Sequence, residues 1–298
     1  MSGQGAEAAA QRHLGEPPVM PRGYSMSGQG VEAAMMPPGH DRIVDADRPG
    51  WAPTIGRATV EGMNDHTVAA TLAAEAGELL LAIRDEGGAA GDRKSDDLLL
   101  ARLAELRPDD AVLSEESTDD PVRLQRDRVW IVDPLDGTRE YGEPPRVDWA
   151  VHVALAIDGV ARIGAVALPA SGIVLHTGEP PVVPPRPDGP IRVAVSRSRA
   201  SWEVRELVMR LSAATVPMGS AGAKAMAVVR GDADVYAHSG GQYEWDSCAP
   251  VAVAAAAGLH VSRIDGSPLR YNRPDPYLPD LLICRPELAD KVLGALAG

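Results

Sequence analysis

The chain has 298 residues, 45% hydrophobic and 24% charged, with Lys+Arg 29 against Asp+Glu 42 and a net charge of -13. That composition suits a soluble globular protein of one large or two modest domains. It argues against duplex nucleic acid or an anionic membrane as partner, because both reward clustered positive charge. Two cysteines, Cys248 and Cys284, exclude a disulfide scaffold and predict a reducing, cytoplasmic setting. No stretch approaches the ~20 apolar residues of a membrane span.

Residues 1–62 carry Pro17, Pro18, Pro21, Pro37, Pro38, Pro49 and Pro53 among glycines and alanines, without sustained apolar periodicity. Met1-Ser2-Gly3-Gln4-Gly5 returns as Met26-Ser27-Gly28-Gln29-Gly30. Two short polar copies do not make a solenoid. Such a segment buries too little to offset its ordering entropy, and the expectation is a disordered extension with Met63 as an alternative start.

From Asn64 the pattern becomes globular. Asn64 or Asp65 caps a helix carrying Val68, Leu72, Ala76, Leu79 and Ile83 near a 3.6 period, ended by Gly87-Gly88. A second helix is predicted over Ser95 to Leu106, stopped by Pro108. Buried strands follow at Ala111–Leu113 and Val129–Val132. Further strands are expected at Trp149–Ile157, Ala161–Leu168, Ile173–His176 and Ile191–Ser196. The Pro-rich stretch Pro180–Pro190 reads as a boundary between an N-terminal sub-domain, 63–180, and a C-terminal one, 190–298. Beyond it come a helix over Ser201–Ala213, a strand to Met218, a helix Ala223–Val229 and a strand Ala233–Tyr236. The chain closes with a helix Ser247–Ala257, a strand at Leu281–Ile283 and a terminal helix. This alternation predicts an α/β or α+β class.

The first two strands each end in carboxylates, where ligands collect in α/β folds. The first runs into Ser114-Glu115-Glu116-Ser117 and the second into Asp133-Pro134-Leu135-Asp136-Gly137-Thr138. Two aspartates three apart across a proline-fixed bend can point at one locus, and Gly137 permits a tight turn. A helix starting there would offer the amides of Gly137 and Thr138 to an anion. Hard oxygen donors beside a phosphate-sized locus suit Mg²⁺. Phosphatases that form an aspartyl-phosphate place the nucleophile two residues before the second Asp. Here Pro134 stands at that position, which favours metal-activated water over a covalent intermediate.

Glu115-Glu116, the Asp133–Thr138 block and Trp245-Asp246-Ser247-Cys248-Ala249 together resemble the signature blocks of the inositol monophosphatase superfamily. The resemblance covers Asp65 to the C-terminus. Within that superfamily the chain most resembles the CysQ-type 3'(2'),5'-bisphosphate nucleotidases, which act on 3'-phosphoadenosine 5'-phosphate (PAP). The segments Val195–Ser198, Gly219–Lys224 and Gly266–Tyr271 share that character. The resemblance implies a layered αβαβα sandwich and a lithium-sensitive, Mg²⁺-dependent phosphatase.

Carried over by position, it implies that Glu115, Asp133 and the Leu135 carbonyl bind a first Mg²⁺, and that Asp133, Asp136 and Asp246 bind a second. Asp92, 23 positions before Glu115, would help hold a third metal or orient the attacking water. Thr138 would hydrogen-bond that water. The surroundings of Asp92, Gly91-Asp92-Arg93-Lys94, depart from the family's Thr-rich loop. Inositol-specific members carry a glutamate shortly before the Trp-Asp block, and Ala237 to Gln242 contains no carboxylate.

A nucleotide bisphosphate has a second phosphate beyond the metals' reach. Ser196, Arg197 and Arg199 after one strand, and Ser220 and Lys224 at the start of a helix, are the candidates to bind it. His238 is a weaker candidate for ribose or phosphate, and Tyr243 and Trp245 could pack near the base. The leading expectation is removal of the 3'-phosphate of PAP, with PAPS as an additional substrate, in sulfate assimilation. Inositol 1-phosphate or fructose 1,6-bisphosphate hydrolysis by the same chemistry stays open, as does a catalytically silent phosphometabolite-binding protein. The sequence leaves a homodimer open.

Overall fold

The computed structural model describes residues 63–298 apart from Arg199. The expected N-terminal extension and the candidate contact at Arg199 therefore lie outside the described residues.

Helix α1 spans Asp65–Ala82, and the Asn64 side chain caps it by accepting from Thr67 N–H at 2.9 Å. A short 3-10 turn, Arg84–Glu86, leads into α2, Gly88–Leu106. This helix starts seven residues before the expected Ser95. Of the two glycines that read as a breaker, Gly87 does separate the helices, at φ 87°, whereas Gly88 starts α2 and is a packing site where a Cβ would collide with the Thr138 methyl; further along α2, a Cβ at Gly91 would crowd Leu135, Leu80 and Tyr141.

Five strands then form the first sheet: β1 (Ala111–Ser114), β2 (Arg128–Asp136), β3 (Ala150–Ile157), β4 (Val160–Leu168) and β5 (Ile173–His176). They lie in sequence order, with β1 parallel to β2 and the rest antiparallel. Between β2 and β3 sits a single helical turn, α3, Thr138–Tyr141.

The second sheet has the order β7-β6-β8-β10-β9. Its strands are β6 (Arg192–Ser196), β7 (Ala214–Met218), β8 (Val235–Tyr243), β9 (His260–Ser262) and β10 (Tyr277–Cys284). Helix α4 (Trp202–Arg210) precedes β7, α5 (Ala221–Val229) precedes β8, α6 (Glu244–Ala256) follows β8, and α7 (Ala289–Leu296) closes the chain. β8 runs seven residues past the expected end, through Gly240 and Gly241 at φ 97° and 89°. β9 was not expected.

The elements stack as five layers, αβαβα. Side-chain alternation along the strands decides which core each residue enters. On β2, Trp130 and Val132 face α1 and α2, while Val129 and Ile131 face the central layer of α5 and α6. That central layer also receives Tyr236, Leu281 and Ile283 from the second sheet. The opposite face of the second sheet, with Val193, Val235 and Leu282, packs on α4 and α7. Both halves of the chain therefore share the central core. No helix among the described residues is long and apolar enough to cross a membrane.

Candidate active site

The C-terminal ends of β1 and β2 lie side by side, with Ser114 paired to Val132 in parallel register, so Glu115 and Asp133 leave adjacent strand ends. β2 continues through Pro134 and loses its even register with β3 between Asp133 and Asp136. The break turns Asp136 inward. Gly137 follows at φ 90°, a left-handed conformation, and a Cβ there would lie 3.0 Å from Ser220 Cβ. From the other side, α6 begins at Glu244 and presents Asp246 in its first turn. Asp246 Oδ2 accepts from the Tyr243 N–H at 2.7 Å.

Ligand oxygens of Asp133, Asp136 and Asp246 come within 4.8 Å of one another. Glu115 lies beside Asp133, close enough for the two carboxyls to share a proton in the metal-free chain. Packing four acids together is unfavourable without a counter-charge. Burial, then the charges of Glu115, Asp136 and Asp246, drive Asp133 well above the usual carboxylate range. Burial and then Asp136 push Asp246 up to about 6; Glu115 keeps an exposed face, and desolvation of its carboxyl and then Asp246 push it up to about 7. All four can ionise together only around a cation, and the donor set, hard carboxylate oxygen throughout, fits a divalent metal ion.

Asp136 differs from its neighbours. Burial alone would raise it, but hydrogen bonding and charge from His152, the Gly222 N–H and Lys224 outweigh that and hold it at about 2. Its oxygens accept from Ser220 Oγ at 2.7 Å, Gly222 N–H at 2.6 Å and Ala221 N–H at 3.1 Å. This carboxylate thus ties β2 of the first sheet to the start of α5.

His152 escaped the sequence reading, where it is one position in an apolar strand. It is fully buried on β3, with Nε2 3.2 Å from Asp136 Oδ2 and Nδ1 3.0 Å from the Trp245 carbonyl. Ser95 and Asp96 also escaped it, having been assigned only to a helix start. They reach the two carboxylate loops from α2.

Asp92 stands on the first turns of α2 with Oδ1 3.2 Å from Thr138 Oγ1, which also lies 3.3 Å from the Leu135 carbonyl. Burial, then the charge of Glu116, pushes Asp92 up to about 6. Glu116 itself is exposed. The structure therefore brings Asp133, Asp136 and Asp246 to one locus with Glu115 beside Asp133, and sets Asp92 against Thr138 and the Leu135 carbonyl on the adjoining turn.

A cleft of about 540 Å³ opens from that locus between the sheets. Gly137, Ser196, Arg197, Ser220, Lys224 and His238 all line it. The charged ends of two of them are engaged within the protein. Arg197, 45% exposed, pairs with Asp148 at 2.9 Å. Lys224 is buried over the Tyr236 ring, and its Nζ donates to the carbonyls of Gly219 and Ser220, the latter at 2.7 Å. Its charge still faces the cleft, while its hydrogen bonds hold the loop before α5. Burial holds its pKa below the usual lysine range, against the opposing pull of Asp136. His238 Nε2 lies 2.9 Å from the Gly241 carbonyl. At the rim Tyr243 stacks on Trp245 with ring centroids 4.8 Å apart. Cys248 is fully buried, a packed thiol away from the cleft.

This fold and acid cluster define a metal-dependent phosphatase: residues 67–296 match the inositol monophosphatase family, and the chain belongs to it. It is 53% identical over 239 residues to the 3'-phosphoadenosine 5'-phosphate phosphatase of Mycobacterium bovis, covering 75% of this chain and 90% of the relative. Its identity to the 3'(2'),5'-bisphosphate nucleotidase CysQ of Escherichia coli K12 is 34% over 203 residues, 63% of this chain and 81% of the relative. Among solved structures, CysQ from Bacteroides thetaiotaomicron superimposes with a TM-score of 0.67 at 26% identity, covering 76% of this chain and 99% of that one.

Proposed function

We propose that this phosphatase removes the 3'-phosphate of PAP, giving AMP and inorganic phosphate, with Mg²⁺ as its metal. The observation that carries the reading is the acidic cluster of Asp133, Asp136 and Asp246 at the floor of a cleft whose walls hold Ser196, Arg197, Ser220 and Lys224. The likeness to PAP phosphatases over nearly their whole length supports the substrate.

When bound, the cations supply Lewis acidity and lower the pKa of the attacking water. The protein does the rest. Glu115, Asp133, Asp136 and Asp246, with the Leu135 carbonyl, hold two Mg²⁺, and Asp92 bears on a third. Asp92 and Thr138 orient the water from the α2 side through their mutual hydrogen bond. The wall residues take the 5'-phosphate: Ser196 lines the wall, Arg197 and Lys224 offer charge, and His238 lies beside the ribose, while Ser220, whose one O–H donates to Asp136, holds that carboxylate rather than the phosphate. PAPS fits the same wall, and a role in sulfur metabolism, sensitivity to Li⁺ and a cytoplasmic setting belong to this reading.

Phosphate release with Mg²⁺, comparing PAP, inositol 1-phosphate and fructose 1,6-bisphosphate with and without Li⁺, tests it. A PAP preference of about 100-fold in kcat/KM, or about 2.7 kcal/mol of differential transition-state binding, is expected. Equal or faster hydrolysis of the sugar phosphates would overturn the substrate assignment and leave the metal chemistry standing.

A further inference from the structure

Strand pairing brings Glu115 and Asp133 together but cannot aim them. The β1–β2 ladder ends at Ser114 and Val132, one residue before each carboxylate. Past that point something else must hold the two chains in place. The Glu115–Glu116 backbone has little support of its own: the Glu116 N–H reaches Ser114 Oγ only at 3.4 Å.

Helix α2 supplies the missing constraint through two consecutive buried residues. Ser95 Oγ donates to the Pro134 carbonyl at 2.8 Å, gripping the chain between Asp133 and Asp136. Asp96 grips the other loop with both oxygens. Oδ1 accepts from Ser114 Oγ at 2.5 Å and Oδ2 from Ser117 Oγ at 2.6 Å. Ser114 and Ser117 flank Glu115 and Glu116, so one carboxylate closes that loop at both ends.

Asp96 is only 5% exposed, and none of the ion pairs among the described residues includes it. Both hydrogen bonds that its side chain accepts go to the loop that carries Glu115. Supporting groups around a metal site lock the ligands, and they matter because a ligand misplaced by even ~0.5 Å binds poorly.

We propose that Asp96, assisted by Ser95, is a positioning residue that sets the separation of Glu115 from Asp133 and thereby the affinity of the acidic cluster for divalent cations. The two grips are one residue apart on a rigid helix, so helix geometry fixes the distance between the loops. The proposal rests on the reading that Glu115 is a cation ligand.

The test is Mn²⁺ binding to the chelator-stripped full-length chain by calorimetry, together with its thermal midpoint in chelator. Asp96→Ala should weaken Mn²⁺ binding about 10- to 100-fold, the usual range for a lost supporting group. Its midpoint in chelator should fall by no more than a few degrees, since the Ser114 hydroxyl loses its acceptor, so binding is read well below that midpoint; phosphatase activity lost at low Mg²⁺ should return as Mg²⁺ is raised. Asp96→Asn, whose amide can still bridge both hydroxyls, should restore most of the affinity. Ser117→Ala frees one end of the loop, keeps the buried carboxylate and should weaken binding by several-fold; it decides the matter if Asp96→Ala does not fold. A Glu115→Gln control separates the two claims. Weak binding in the control with wild-type binding in Asp96→Ala and Ser117→Ala overturns the positioning role alone. Wild-type binding in the control removes the ligand assignment, and the proposal falls with it.

Discussion

Asp136 carries two tasks on one carboxylate: it belongs to the acid cluster and it anchors the N–H groups of Ala221 and Gly222. Asp136→Asn would set an amide against those donors and remove a charge, so kcat/KM should fall at least about 100-fold with the fold intact by circular dichroism. Undiminished activity would contradict its role. Gly222 is confined by the same geometry, since a Cβ there would collide with His152 Nε2. Gly222→Ala should cost about 1–3 kcal/mol of stability by denaturant melt, typical of overpacking a tight site. Glu115, Asp133 and Asp136 were legible as carboxylates at two strand ends, whereas Asp246, far along the chain at a helix start, was marked only by the family resemblance. His152 and Asp96 were not legible. Each acquires its meaning from partners far along the chain, such as the Trp245 carbonyl and the Ser114 and Ser117 hydroxyls, and no local pattern marks them. For Lys224 the residue type suggested a reach toward phosphate, and the structure adds a backbone-holding role that only burial reveals.

Among elements, the buried strands and amphipathic helices followed from periodicity, and α1 begins where Asn64 predicts. Boundaries failed where tertiary packing overrode local preference. α2 tolerates Gly88 and Gly91 because neighbouring side chains fill the space a Cβ would need. β8 carries its pairing with β10 through two glycines, with Gln242 opposite Leu278. The second sheet has its own buried ionic anchor. Asp234 is fully buried and accepts from Arg192 N–H at 2.9 Å, Arg192 Nη2 at 2.7 Å and Arg285 Nε at 3.1 Å. Burial would raise its carboxyl, but the hydrogen bonds from Arg192 hold it below the usual range. Asp234→Ala should destabilise the protein by about 3 kcal/mol, because the buried Arg285 would keep only the Pro184 carbonyl and a 4.0 Å approach to Glu287, and Arg192 would lose its carboxylate. Thermal or urea unfolding with no loss would show the anchor to be dispensable.

At the scale of the molecule, the five layers put strand ends, the α5 start and the α6 start around one acidic locus, and this arrangement makes stability depend on pH and on metal together. In the metal-free chain Asp92 and Asp246 are pushed up to about 6 and Glu244 up to about 7, above their ordinary values of 3.8 and 4.5. Burial is the main cause in each case. The folded chain then binds more protons than the unfolded one, so their stabilisation is complete below about pH 4 and is lost as the pH climbs through about 6 to 7. A divalent cation takes the place of those protons at the cluster. In chelator the unfolding midpoint should drop between pH 5 and pH 8, and the gap between Mg²⁺ and chelator should widen over that interval. Equal gaps at both pH values would contradict the picture. The central claim, metal-assisted attack of water on the 3'-phosphorus of PAP, is tested most directly by turnover in ¹⁸O-water with Mg²⁺ and identification of the products. AMP should be the sole nucleotide, with one ¹⁸O in the released phosphate and none in the nucleotide. Adenosine 3'-phosphate as product, or label in the ribose hydroxyl, would contradict it.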